Sequence, residues 1–136
     1  MRYLAVDYGT KRMGLAVCDA GETVVSPLDV LTGQKNLIGR IRQVVEAEGI
    51  GAIVLGLPLN MDGTEGPQAK RVMAFAGQLR GQIGIPVHLQ DERLSSFGAE
   101  EKLQEMGLSK GKRRARLDAL AAAEILQTFL EGQKRG

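Results

Sequence analysis

Ala52–Gly56 is the segment that most restricts what this chain can fold into. It is an unbroken apolar run of the kind buried on both faces of a parallel sheet, with helices covering each side. Candidate partners surround it. Tyr3–Val6 and Gly14–Val17 are short apolar runs separated by Tyr8–Met13, whose Gly9 and Thr10 suit a hairpin turn. Pro27–Leu31 reads as a third strand, with Pro27 confined to its start or to a sheet edge. The period then changes. Leu37, Ile38, Ile41, Val44 and Val45 share one helical face, with Asn36 as N-cap and Gly49 as the stop.

After Ala52–Gly56 comes a Gly/Pro/Asn/Asp-rich loop, Leu57–Gly66. Pro67 then opens a helix carrying Ala69, Val72, Met73, Ala76 and Leu79. Val87–Gln90 is a further strand, Ser95 or Ser96 caps a helix through Met106, and Leu117–Glu131 is the last helix. The order β-β-β-α-β-α-β-α-α predicts the α/β class, with a mixed sheet flanked by helices. At 136 residues the chain is read as a single domain, 1–136. With 43% apolar and 25% charged residues it has the material for a real core.

Composition removes several function classes. Cys18 and His88 are the only residues of their types, which excludes an internal disulfide and a zinc site built from Cys and His. With no Trp, two Tyr and three Phe, the chain does not suit nucleic-acid binding through rows of stacked rings. Leu4–Val6 is too short for a secretion signal, and Gly56 and Pro58 interrupt the longest apolar stretch. The expectation is a soluble, cytoplasmic protein.

The informative residues are acids where a core prefers none. Asp7 ends the run Leu4–Val6. Asp118 heads the stripe Ala122, Ile125, Leu126 and Phe129, so its carboxylate points towards the sheet. An unpaired buried carboxylate costs several kcal/mol and needs a cation or strong donors. The plain alternatives are turn amides for Asp7 and, for Asp118, the helix dipole, worth about 0.3–1 kcal/mol. Asp91 and Glu92 follow the Val87–Gln90 strand, where Arg93 is a ready partner for one of them. Parallel strands share their C-terminal edge, so these acids converge with Asp7. An all-oxygen cluster of this kind suits Mg²⁺ or Mn²⁺ and in-line attack on a phosphodiester.

Charge is unevenly spread. Lys110, Lys112, Arg113, Arg114 and Arg116 crowd the loop before the last helix without one acid. Removing these five from the 18 basic residues leaves 13 against 16 acids, a net −3. A solvated loop is the ordinary reading, but its place beside Asp118 favours a phosphate clamp built on Lys112, Arg113 and Arg114. Lys11 and Arg93 are lesser phosphate contacts. Gly9 and Thr10 offer further phosphate donors, as in sugar-kinase and actin-type ATPases, but those clamp nucleotide between two such domains, and the chain has no Walker-type sequence. Asn60, near the strand edge, is a candidate substrate contact, whereas Asp62-Gly63 reads as turn chemistry and His88 as an ordinary strand residue.

The blocks DYGTKRMG (Asp7–Gly14), GLPLNMDGTEG (Gly56–Gly66), DERLS (Asp91–Ser95) and LDALAA (Leu117–Ala122) together resemble the YqgF family of bacterial Holliday-junction-resolvase-like nucleases, over essentially the whole chain. The resemblance implies a ribonuclease H-like fold with a five-stranded mixed sheet flanked by helices. It also implies a divalent-metal nuclease processing the 5′ end of pre-16S rRNA or, alternatively, cleaving four-way DNA junctions. On this basis Asp7, Glu92 and Asp118 are the catalytic, metal-binding acids, with Asp91 as a substitute for Glu92. Many ribonuclease H-like nucleases carry an acid at the end of the fourth strand, where this chain has Gly56 and Leu57. The expected partner is nucleic acid, with the protein a monomer or a homodimer. A non-catalytic nucleic-acid-binding assembly factor is the contrasting class, and the presence of all three acids argues against it.

Overall fold

The computed structural model describes residues 1–93 and 110–135, with side chains over 1–93 and 117–134. Five strands, β1 (Tyr3–Tyr8), β2 (Arg12–Cys18), β3 (Val25–Thr32), β4 (Ala52–Leu57) and β5 (Val87–Asp91), form one sheet in the order β3-β2-β1-β4-β5. β1 runs parallel to β4, and β4 to β5, while β2 is antiparallel to both β1 and β3. The described helices are α1 (Leu37–Glu48), α2 (Pro67–Gln82) and α3 (Lys110–Arg135). The helix expected from Ser95 or Ser96 to Met106 lies outside the described residues.

Alternation along the strands divides the core into two unlike halves. Leu4, Val6, Met13, Leu15, Ile53 and Leu55 meet α1 and α2 through Leu37, Ile41, Val72, Phe75 and Leu79. The opposite face is made of smaller residues: Ala5, Ala16, Cys18, Ala52 and Val54, with Tyr3, pack against Ala122, Ile125, Leu126 and Leu130 of α3. Burying Ile125, Leu126 and Leu130 is worth about 1.5–3 kcal/mol each, which seats the helix firmly. Gly14, in register with Asp7, shares this face, and a methyl group there would overlap the backbone carbonyl of Asp118. The missing side chain lets the N-terminal half of α3 lie directly on β2.

Three local expectations are corrected. β1 continues to Tyr8, so Asp7 lies within a paired strand rather than ending it. Asn36 precedes α1 in the left-handed conformation (φ 55°, ψ 40°), without a side-chain cap, because capping needs extended dihedrals that it does not adopt. Its backbone carbonyl still accepts the Arg40 amide at 3.0 Å. Finally, α3 begins at Lys110, so Lys112, Arg113 and Arg114 lie on the opening turns of a helix and not in a loop. Lys, Arg and Ala all favour helix, and only Gly111 interrupts them. By contrast, Gly49 stops α1 at φ 62°, and Pro27 lies on an edge strand, both as the sequence predicts.

Gly14→Ala should cost about 1–3 kcal/mol, because the added methyl meets backbone and not a yielding side-chain tip. Urea unfolding measures it, and an unchanged midpoint would show that α3 can shift without penalty.

Candidate active site

Strand parity sends Asp7 to the α3 face, alongside Tyr3 and Ala5. There it interacts electrostatically with both other candidate acids. Burial, and secondly the charge of Asp118, push the Asp7 carboxyl from an ordinary 3.8 up to about 6. Glu92 is pushed from 4.5 to about 7 by burial, then by Asp7, then by Asp91. Its backbone amide donates to the Leu57 carbonyl at 3.1 Å, which extends the β4–β5 ladder by one residue. A methyl built on Gly56 would overlap the Glu92 carboxylate and the Ile125 side chain. The carboxylate of Glu92 thus lies over the β4 position that itself has no side chain.

Asp91 has a different task. Its Oδ1 accepts the Arg93 amide at 3.0 Å and its Oδ2 accepts Arg93 Nε at 2.8 Å, which lowers its pKa. Arg93 also donates Nη1 to the Met61 carbonyl at 3.2 Å, tying the end of β5 to the loop after β4. Asn60 is exposed and works within that loop, donating Nδ2 to Thr64 Oγ1 at 3.0 Å. Asp62 closes the turn on Thr64 and Gly63 takes φ 87°, as turn chemistry predicts. His88 packs against Phe129, with ring centroids 5.2 Å apart.

Asp118 carries a contact that sequence reasoning missed. Its Oδ2 accepts Arg12 Nε at 2.5 Å. A base beside a Gly-Thr-Lys turn reads as solvated, yet the parity of β2 puts Arg12 on the same face as Gly14, and hence towards α3. Gly9, Thr10, Lys11, Arg12 and Asp118 line a recess of about 290 Å³.

Residues 1–132 match RuvX, described as Holliday junction resolvase. The chain belongs to the RuvX family. This is the YqgF family that its four sequence blocks resemble. Among RuvX relatives, a protein of Anaeromyxobacter sp. (strain Fw109-5) is 46% identical over 136 residues, covering 98% of both chains. One from Maridesulfovibrio salexigens is 41% identical over 132 residues, covering 96% of this chain and 98% of that one. Both carry the name "Putative pre-16S rRNA nuclease". In structure, the chain is similar to T. thermophilus RuvC in complex with Holliday junction substrate, with TM-score 0.63, 17% identity, and 98% and 96% of the two chains covered. It is also similar to the fowlpox virus Holliday junction resolvase, with TM-score 0.55, 15% identity, and 98% and 99% covered. These likenesses establish the ribonuclease H-like fold.

The donor set suits a hard divalent cation. All three groups are carboxylates, and Asp7 and Glu92 are half-buried beside other negative charge, which a cation would relieve. No hydrogen bond from a described residue reaches the Asp7 carboxylate. Still, among the described residues no three such side chains are gathered closely enough to hold an ion, and Asp118 is engaged by Arg12.

These shifts set a pH dependence. Through Asp7 and Glu92 the native state holds more protons than the unfolded chain between about pH 4 and 7, bounded by the ordinary values of 3.8 and 4.5 and the native values of about 6 and 7. Stability in EDTA should therefore fall as pH rises through that window and level off above it. Asp19, whose pKa is lowered to about 2, acts below the window with opposite sign. Asp7→Asn should flatten the lower part of the slope and raise stability at pH 8. Urea unfolding in EDTA from pH 4.5 to 8 checks this, and identical profiles for variant and wild type would remove the burial argument.

Proposed function

We propose that this chain is a divalent-metal-dependent nuclease that processes the 5′ end of pre-16S rRNA in the cytoplasm, with 1–136 as its single nuclease domain. The observation that carries the reading is the placement of half-buried Asp7 and Glu92 on the α3 face, each with its pKa raised by burial and then by a neighbouring carboxylate, in a chain whose whole-length relatives bear that nuclease name. Asp7, Glu92 and Asp118 are the groups that would hold Mg²⁺ or Mn²⁺. When bound, such an ion activates water and stabilises the leaving oxygen of a phosphodiester. Asp91 is occupied in holding Arg93, so Glu92 is assigned the ligand role.

The chain's own groups bind and orient the substrate. Lys112, Arg113 and Arg114, on the opening turns of α3, supply positive charge for phosphates near Asp118. Gly9, Thr10 and Lys11 line the recess beside that acid, and Asn60 and Arg93 flank the same sheet edge. The RuvX description favours a second reading, cleavage of four-way DNA junctions by the same carboxylates. Symmetric cutting of a junction then requires a dimer, which places two sites on one substrate.

Asp7→Asn and Glu92→Gln should each lower single-turnover cleavage by on the order of 10²–10³ at saturating Mn²⁺, while nucleic-acid binding persists. Asp91→Asn should have a much smaller effect. Matched precursor rRNA and four-way DNA junction substrates decide between the readings. Full activity in both Asp7→Asn and Glu92→Gln would dismiss the carboxylate site.

A further inference from the structure

Arg12 opens β2 and shares its parity with Gly14, Ala16 and Cys18, so its side chain leaves the sheet on the α3 face. Nε donates to Asp118 Oδ2 at 2.5 Å, whereas neither terminal nitrogen donates to a described residue. The pair is open to solvent, with the Arg12 side chain 38% exposed and that of Asp118 22%. It is not needed to hold α3. The close approach at Gly14 and the burial of Ala122, Ile125 and Leu126 already seat the helix, and ion pairs in contact with water add little stability. Its position is informative instead. Arg12 lies on the wall of the 290 Å³ recess, between the Gly9–Lys11 turn and the carboxylate.

We propose that Arg12 exchanges partners: its guanidinium holds Asp118 in the metal-free protein, yields the carboxylate to a divalent ion, and then anchors a substrate phosphate in the adjoining recess. The inference rests on the reading of Asp7, Glu92 and Asp118 as metal ligands. Two cations compete for one carboxylate, so the guanidinium opposes metal binding until substrate offers it another anion. A phosphodiester provides that anion, and the guanidinium's planar fork of donors matches its oxygens. Because Arg stays protonated, metal concentration and substrate drive the exchange, and pH does not act through Arg12 itself. Arg12 is thus a positioning residue for Asp118 and a contact for the substrate phosphate, two duties held at different stages.

The test titrates Mn²⁺ calorimetrically into the substrate-free full chain as wild type, Arg12→Gln, Arg12→Met, Arg12→Lys and Asp118→Asn. Two neutral variants guard against a folding defect in one of them. The neutral variants should bind Mn²⁺ about 2- to 5-fold tighter than wild type, the range expected for removing a weak ion pair. Arg12→Lys, which keeps the charge, should stay near wild type. In single-turnover cleavage of a short pre-16S leader RNA, the neutral variants should need about tenfold more RNA for half-saturation, the loss expected for a charged hydrogen bond. Unchanged or weaker Mn²⁺ binding in folded neutral variants would overturn the exchange, since a mere strut for Asp118 gives that result. Equal Mn²⁺ binding by wild type and Asp118→Asn would instead overturn the ligand reading itself, and the exchange with it.

Discussion

The close seating of α3 on one face of the sheet is the contact on which the rest of the molecule depends. That face is lined by Ala5, Gly14, Ala16, Ala52 and Gly56, while the bulkier Leu4, Val6, Met13, Leu15, Ile53 and Leu55 fill the other. The asymmetry is geometric as well as hydrophobic. Small side chains let a helix approach closely, and at Gly14 its backbone nearly touches the strand. Asp118 thereby comes within electrostatic reach of Asp7, and Ile125 lies beside Glu92. Larger residues on this face would hold the helix off and separate the acids.

Bringing the acids together opposes stability. Burial and like charge both disfavour ionised Asp7, and the same two causes act on Glu92. The apolar seat of α3 offsets this cost, so the hydrophobic contact and the electrostatic conflict are two aspects of one arrangement. Three other carboxylates are comfortable. Asp19, Asp62 and Asp91 accept local donors and have lowered pKa values. The contrast separates acids that build turns from half-buried acids that sense one another's charge on the α3 face.

Much of this was legible in the sequence because two periods carry it. The twofold alternation sends Asp7 and Glu92 to the α3 face and leaves Asp91 for Arg93, and the helical period aims Asp118 inward. The relation of Gly56 to Glu92 was half visible. The absence of an acid on β4 could be read directly, but the filling of that space from β5 depends on the β4–β5 register. The Arg12 contact is not legible in the sequence, because composition around a turn gives no hint of a partner 106 residues away. The start of α3 is hidden for a simpler reason. A basic run containing Gly111 resembles a loop, although Lys, Arg and Ala are good helix formers. Asn36 failed as a side-chain cap because residue type does not report its left-handed backbone.

Among the described elements, α3 alone covers its face of the sheet, whereas α1 and α2 share the other. The two faces are therefore supported separately, one by a single helix and one by two. Detachment of α3 would expose the small-residue face and carry Asp118 away, while the core beneath α1 and α2 stayed intact. Amide hydrogens of the last helix would then exchange with solvent through a sub-global opening, ahead of those in β1 and β4. Such an opening separates Asp118 from Asp7 without unfolding the sheet. The arrangement of Asp7 and Asp118 therefore depends on the local free energy of helix docking, and can be lost while most of the secondary structure remains.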